Sequence, residues 1–102
     1  MLNFLKTLFG GSTSKLSPED LKRGTIVDVR TPAEYQQGHV AGSLNIPLQT
    51  LDQSLDKLRK LDAPIITCCR SGTRSGMATR QLTAEGIAAI NGGTWRDVER
   101  QL

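Results

Sequence analysis

The sequence predicts an α/β domain in which a mainly parallel central sheet is flanked by helices. Short β-branched or apolar runs, which are typical of strands, alternate with segments that open on helix-capping residues. Glycines and prolines separate these segments at short intervals. With 102 residues the chain has room for one such domain. We divide it into a short N-terminal helix and linker over 1–14 and the domain itself over 15–102.

The first elements of the domain are predicted from their caps. Residues 17–20 combine a capping serine, a proline and two carboxylates, which indicates a short helix ending at Gly24. β-branched residues over 25–29 predict a strand. A capping box over 31–34 opens a second short helix, and 43–46 form a short strand that a proline ends.

The second half continues the alternation of helices and strands. A further capping box over 50–53 predicts a helix with Leu51, Leu55 and Leu58 on one side. A strand is predicted over 65–68, and a helix follows over 75–85. A last strand over 87–90, a turn over 91–93 and a terminal helix over 94–100 complete the chain. Because ligand sites in parallel sheets lie at the carboxyl ends of strands, Cys69 and Arg30 should meet at one rim.

Composition limits the kinds of partner. The net charge of +3 comes from scattered basic residues, and only 4% of residues are aromatic, so no nucleic-acid partner is predicted. The two cysteines are adjacent, which excludes a disulfide scaffold. One histidine and the lack of a C-x-x-C pair predict no metal site. A reducing, cytoplasmic compartment would keep Cys69 free.

The N-terminal segment has apolar residues at helical spacing over 2–9. It lacks the features of a signal peptide and is too short to span a bilayer, so no membrane partner is predicted. A short helix that packs on the domain is the first interpretation. A weak amphipathic contact with a membrane or a partner is the alternative.

The most informative segment runs from Cys69 to Ser75. It joins a predicted strand to a predicted helix, so backbone N–H groups and the positive end of a helix converge on it. Arg70 and Arg74 add positive charge. We expect these groups to lower the pKa of the Cys69 thiol below its reference of about 8.5. The same turn can bind an anion, so one loop offers both a nucleophile and a cradle for its substrate.

Three segments together resemble the rhodanese family of sulfurtransferases, and their order and spacing extend over 15–101. They are Asp28-Val29-Arg30 with Glu34-Tyr35, Gly38-His39-Val40 with Gly42 and Asn45-Ile46-Pro47, and Cys69-Arg70-Ser71-Gly72-Thr73-Arg74-Ser75. The resemblance implies a single-domain rhodanese-like fold in which Cys69 carries sulfur. It also implies that the backbone amides of 70–74 and Ser75 line the pocket. Cys68 stands where the family often has an aromatic residue.

The residues around Cys69 then receive roles. The predicted substrate-binding set is Arg70, Ser71, Gly72, Thr73, Arg74 and Ser75, with Arg30 beneath them. Alternation along the strand should point Cys68 away from the pocket. Structural roles are expected for the remaining candidates. Asp28, Arg30 and Glu34 should form an ion-pair and capping network. His39 should make a hydrogen bond at the sheet rim, and Trp95 should cover the core or the rim.

The function expected from these residues is sulfur transfer. The Cys69 thiolate would take sulfane sulfur from a small anionic donor such as thiosulfate and pass it as a persulfide to cyanide, a thiol or a protein acceptor. No cofactor is required. A phosphatase or arsenate reductase is one alternative, although such enzymes use Cys-x5-Arg and this loop is Cys-x4-Arg. A persulfide carrier or binding module that acts between protein partners is the other.

Overall fold

A parallel four-stranded sheet forms the centre of the domain in the computed structural model, which describes residues 15–102. Its strands are β1 Thr25–Asp28, β2 Leu44–Asn45, β3 Ile65–Cys69 and β4 Ala89–Thr94. They lie in the order β2-β1-β3-β4, and every neighbouring pair is parallel. The predicted α/β class with a mainly parallel sheet is therefore confirmed. The helix and linker predicted over 1–14 lie outside the described residues.

Helices precede, connect and follow the strands. Within 15–102 they are α1 Pro18–Arg23, α2 Pro32–Gln36, a 3-10 helix Leu48–Ser54, α3 Leu55–Arg59, α4 Thr73–Ala84 and α5 Trp95–Arg100. None of these described helices has the length and apolar character needed to cross a membrane.

Three predicted helix caps are confirmed. The Ser17 hydroxyl accepts the backbone N–H of Asp20 at 3.1 Å, and the Asp20 carboxylate accepts that of Ser17 at 3.1 Å. Thr31 and Glu34 make the same reciprocal pair at the start of α2. The Thr94 hydroxyl caps α5. Such caps satisfy N–H groups that a helix leaves unpaired at its first turn.

The capping box predicted over 50–53 is wrong. The 3-10 helix begins directly after Pro47, so Thr50 already lies inside a helical segment. Its hydroxyl donates backward to the Pro47 carbonyl at 3.2 Å and caps nothing. The predicted apolar side nevertheless packs inward, since Leu51 and Leu58 are fully buried. Burial of each such side chain is worth about 1.5–3 kcal/mol.

The turn predicted over 91–93 is also wrong, because these residues belong to β4. Gly92 lies so close to its neighbours that an added Cβ would be 2.7 Å from Cγ2 of Val98 and 2.9 Å from the carbonyl oxygen of Thr67. The glycine is therefore required for close packing of β4 against α5 and β3. Gly93, at φ +85°, lies beside the irregular register between β3 and β4.

The two faces of the sheet carry separate apolar clusters. On one face Cys69 and Ile65 pack with Leu51, Leu58 and Leu82. On the other face the cluster consists of Val40, Ile66, Cys68 and Val98, with Leu16, Leu21, Ile26 and Trp95 packed against it. Adjacent residues of β3 therefore contribute to opposite faces, as alternation along a strand requires. The prediction that Cys68 points away from Cys69 is confirmed.

Candidate active site

Cys69 is the last residue of β3, and α4 begins only four residues later at Thr73. The helix starts two residues before the predicted position, because Gly72 turns the chain into it with φ +93°, a backbone conformation that favours glycine. Arg74 and Ser75 thus lie in the first turn of α4. The loop is short enough that backbone N–H groups at the start of α4 reach back to the sulfur of Cys69.

Gly72 and Ser75 provide the shortest contacts with the sulfur of Cys69. The backbone N–H of Gly72 donates to Sγ at 3.0 Å, and that of Ser75 at 3.4 Å. The hydroxyl oxygen of Ser75 lies 3.4 Å from the same atom. Burial is the largest single influence on the pKa of Cys69 and raises it. The hydrogen bonds from Ser75, Ser71 and Gly72 together outweigh burial, so that the pKa lies below its ordinary value.

The lowered pKa therefore depends on hydrogen bonds to the thiolate more than on the arginine charges that we expected to act. Arg70 is exposed. Arg74 is turned toward α2, where Nη1 and Nη2 donate to Oε1 and Oε2 of Glu34 at 2.7 and 2.9 Å. The hydrogen bond from Arg74 lowers the pKa of Glu34 to about 2, so this bidentate pair is intact at neutral pH.

A buried ion pair lies beneath the rim. Asp28 is fully buried and Arg30 is 4% exposed. The guanidinium Nη2 lies 2.7 Å from the Asp28 carboxylate and also donates to the carbonyl of Gly38 at 2.7 Å. Its carbon lies 5.0 Å from the centre of the Trp95 ring. The predicted network of Asp28, Arg30 and Glu34 is present. Arg30 forms an ion pair with Asp28, and Glu34 forms one with Arg74 of α4.

Sequence reasoning missed Asn91, because it read Asn-Gly-Gly as a turn. The Asn91 carboxamide joins β4 to the cysteine loop. Its Oδ1 accepts the Ser75 hydroxyl at 2.7 Å and the Gly93 N–H at 2.9 Å, and its Nδ2 donates to the Gly72 carbonyl at 3.2 Å. Asn91 thereby fixes both residues that donate to the sulfur of Cys69. A polar residue directly after the strand predicted over 87–90 was the available signal.

The hydroxyl of Ser75 has one proton and three acceptors within reach: Oδ1 of Asn91 at 2.7 Å, Sγ of Cys69 at 3.4 Å and the Gly93 carbonyl at 3.5 Å. When the cysteine is a neutral thiol, the shorter contact with Asn91 satisfies the hydroxyl. When the thiolate forms, rotation about the Cβ–Oγ bond directs the proton to sulfur, and Asn91 keeps its bond from the Gly93 N–H. Ser75 can therefore respond to the charge on Cys69 without movement of the backbone.

The other predicted residues are not gathered around the sulfur to the same degree. Ser71 and Thr73 are exposed, and their hydroxyl oxygens lie 3.3 Å from one another. His39 stacks on Tyr35 at 3.7 Å, and its Nδ1 lies 2.7 Å from the Tyr35 carbonyl, which confirms the predicted structural role. Burial raises the pKa of Cys68 to about 12, so this second thiol stays neutral.

A cavity of about 630 Å³ opens beside the loop. We call it the arginine groove, because four of its lining side chains are guanidinium groups: Arg30, Arg70, Arg96 and Arg100. Trp95 and Thr94 also line it, together with the carboxylates of Glu34 and Asp97. Cys69 is not part of the lining. Arg70 follows it directly in the chain and Thr94 pairs with it in the sheet, so the groove begins at the loop.

We expect Ser75→Ala to raise the pH at which Cys69 becomes reactive. In the unmutated protein the rate of alkylation by iodoacetamide should rise through a midpoint below the free-thiol value of about 8.5. Loss of the Ser75 hydroxyl removes a hydrogen bond to the thiolate, so the midpoint should move upward by about one pH unit. Thr73→Ala is the matched control, since the Thr73 hydroxyl does not contact Sγ. Equal midpoints in the Ser75→Ala and unmutated proteins would contradict this assignment.

Comparison with known proteins gives the same assignment of fold and family. The profile of the family described as rhodanese-like domain matches residues 14–95. The uncharacterized protein YqhL of Bacillus subtilis is 36% identical over 69 residues, which cover 68% of this chain and 54% of that protein. The thiosulfate sulfurtransferase PspE of Escherichia coli is 32% identical over 74 residues, which cover 71% of each.

A solved structure described as rhodanese with anions from E. coli superposes with a TM-score of 0.66 at 32% identity. The match covers 72% of this chain and 88% of that one. The matched part of YqhL is only about half of that protein, whereas the family profile spans most of the described domain. With its parallel sheet and its cysteine loop between β3 and α4, the chain belongs to the rhodanese-like domain family.

Proposed function

We propose that this protein is a thiosulfate sulfurtransferase that carries sulfur as a persulfide on Cys69. The observation that carries the proposal is the set of donors at Sγ, the N–H groups of Gly72 and Ser75 and the Ser75 hydroxyl. They favour the thiolate, which is the nucleophilic form of the side chain. Family membership supports sulfur transfer as the chemistry that this thiolate performs.

The first step forms the persulfide. The Cys69 thiolate attacks the outer sulfur of thiosulfate, and an Sγ–S bond forms as the S–S bond of thiosulfate breaks. The electron pair of the broken bond leaves with sulfite. The outer persulfide sulfur then bears the negative charge, and the backbone N–H groups of the loop and of the first turn of α4 are the donors nearest to it.

The second step regenerates the thiolate. A thiophilic acceptor such as cyanide attacks the outer sulfur, the Sγ–S bond breaks, and its electron pair returns to Sγ while thiocyanate leaves. The donors from Gly72 and Ser75 stabilise the thiolate as the leaving group of this step. The same hydrogen bonds therefore serve both half-reactions, as nucleophile activation first and as leaving-group stabilisation second.

The proposal is tested by incubation of the protein with thiosulfate and cyanide and by measurement of thiocyanate. We expect turnover above the uncatalysed rate with thiosulfate and no phosphate release from p-nitrophenyl phosphate under the same conditions. The spacing is Cys-x4-Arg, and the bidentate pair with Glu34 keeps Arg74 from forking onto a phosphoryl group. Phosphate release without thiocyanate formation would overturn the proposal.

A further inference from the structure

Two guanidinium groups of the arginine groove lack a carboxylate partner among residues 15–102. Arg30 pairs with Asp28 and Arg100 pairs with Asp97, each at 2.7 Å. Among residues 15–102, Arg70 and Arg96 have no carboxylate within salt-bridge distance. The segment 1–14 contains no aspartate or glutamate that could supply one. The groove thus presents two uncompensated guanidinium groups.

Arg96 is held in position by the aromatic side chain beside it. Its guanidinium carbon lies 4.8 Å from the centre of the Trp95 ring, within the range of a cation–π contact. Such a contact restrains the long side chain, and Arg96 is exposed and lines the groove. The donors of Arg96 are therefore available to an incoming anion. Arg70, which is exposed on the cysteine loop and also lines the groove, offers a second set.

The size of the groove exceeds what the sulfur donor needs. A volume of about 630 Å³ falls in the range of about 300–1,000 Å³ that is usual for sites of organic ligands, whereas thiosulfate has only five heavy atoms. The groove also begins beside Cys69, at Arg70 and Thr94. A reactant bound there would be adjacent to the persulfide. In the proposed reaction the remaining reactant is the sulfur acceptor.

We propose that the arginine groove binds the sulfur acceptor and selects a small organic thiol that carries two carboxylates. One carboxylate pairs with Arg96 and the other with Arg70, and the thiolate of the acceptor faces Cys69. The acceptor attacks the outer persulfide sulfur, the Sγ–S bond breaks, and the acceptor leaves as its own persulfide while Cys69 returns to thiolate. This inference rests on the proposed sulfur transfer and adds the class of acceptor.

The test compares two acceptors with one another. Cys69 is loaded with thiosulfate, excess donor is removed, and the rate of sulfur loss is followed with mercaptosuccinate, a dicarboxylate thiol, or with thioglycerol, a neutral one. We expect Arg96→Gln to slow transfer to mercaptosuccinate about fivefold, as for loss of one partly exposed charge pair. Transfer to thioglycerol should change by less than about twofold.

Arg23→Gln is the matched control, because it removes the same charge at the other edge of the sheet. Arg23 lies beside Pro64 and Ala88, at the amino ends of β3 and β4. This variant should leave both rates unchanged. An equal effect of Arg96→Gln on the two acceptors, or no effect on either, would overturn the inference.

A second measurement separates this inference from the proposed function. Trp95 is the single tryptophan of the chain and lies in the groove, so its fluorescence reports occupancy without any sulfur transfer. We expect saturable binding of S-methyl mercaptosuccinate that is weaker in Arg96→Gln, and no saturation with S-methyl thioglycerol. Failure of Cys69 to load with sulfur contradicts the proposed function. Lack of saturable binding of the dicarboxylate contradicts the groove assignment, whatever the outcome of loading.

Discussion

Replacement of Cys69 by serine should reduce thiocyanate formation from thiosulfate and cyanide by about three orders of magnitude or more. The serine hydroxyl is not ionised near neutral pH and is a poor nucleophile toward sulfur, so neither half-reaction proceeds. The donors from Gly72 and Ser75 would remain but would have no thiolate to stabilise. The measurement is the initial rate of thiocyanate formation, with circular dichroism to show that the variant is folded.

Cys68→Ala is the matched control for this prediction. Cys68 packs on the opposite face of the sheet with Val40 and Val98, and its thiol is held neutral by burial. We choose alanine because a serine hydroxyl would be buried there among apolar side chains. This variant should retain most of the activity. A loss equal to that of Cys69→Ser would show that a second thiol takes part and would contradict the mechanism with one cysteine.

Replacement of Arg30 by methionine should lower the free energy of unfolding by about 3–5 kcal/mol, because it leaves the carboxylate of Asp28 buried without its partner. Asp28 is fully buried, and Nε and Nη2 of Arg30 lie 2.9 and 2.7 Å from its two oxygens. The loss should be measured by urea unfolding at neutral pH. A variant too unstable to fold would agree with the same expectation.

Arg74→Met provides the comparison. The pair of Arg74 with Glu34 is also bidentate, but its side chains are 34% and 30% exposed. Water can solvate Glu34 once its partner is removed, so the loss should be about 1 kcal/mol or less. If the Arg30→Met variant were as stable as the Arg74→Met variant, the buried ion pair of Arg30 with Asp28 would not stabilise the fold as we expect.

The parts of the fold that sequence analysis predicted correctly depend on local chemistry. Ser17, Thr31 and Thr94 cap helices through side-chain oxygens that reach only three residues along the chain. The opposite directions of Cys68 and Cys69 follow from the period of a strand. Both kinds of pattern are complete within a few residues, so the sequence contains all the information that they need.

The parts that were missed depend on contacts between distant residues. Asn-Gly-Gly has strong turn propensity, but packing of Gly92 against Val98 and Thr67 keeps the segment in β4. The role of Asn91 was missed for the same reason, since its partners Gly72 and Ser75 lie on another element. The position of Arg74 in the loop suggested an anion ligand, whereas its geometry is set by Glu34, forty residues earlier.

The intact mass of the protein after incubation with thiosulfate shows whether Cys69 carries the transferred sulfur. We expect the protein to gain one sulfur atom, a peptide map to assign it to Cys69, and cyanide to remove it with release of thiocyanate. The Cys69→Ser variant should gain none, and Cys68→Ala should gain one. A protein that gains no sulfur, or a Cys69→Ser variant that still gains one sulfur atom, would contradict the proposal that Cys69 carries the sulfur as a persulfide.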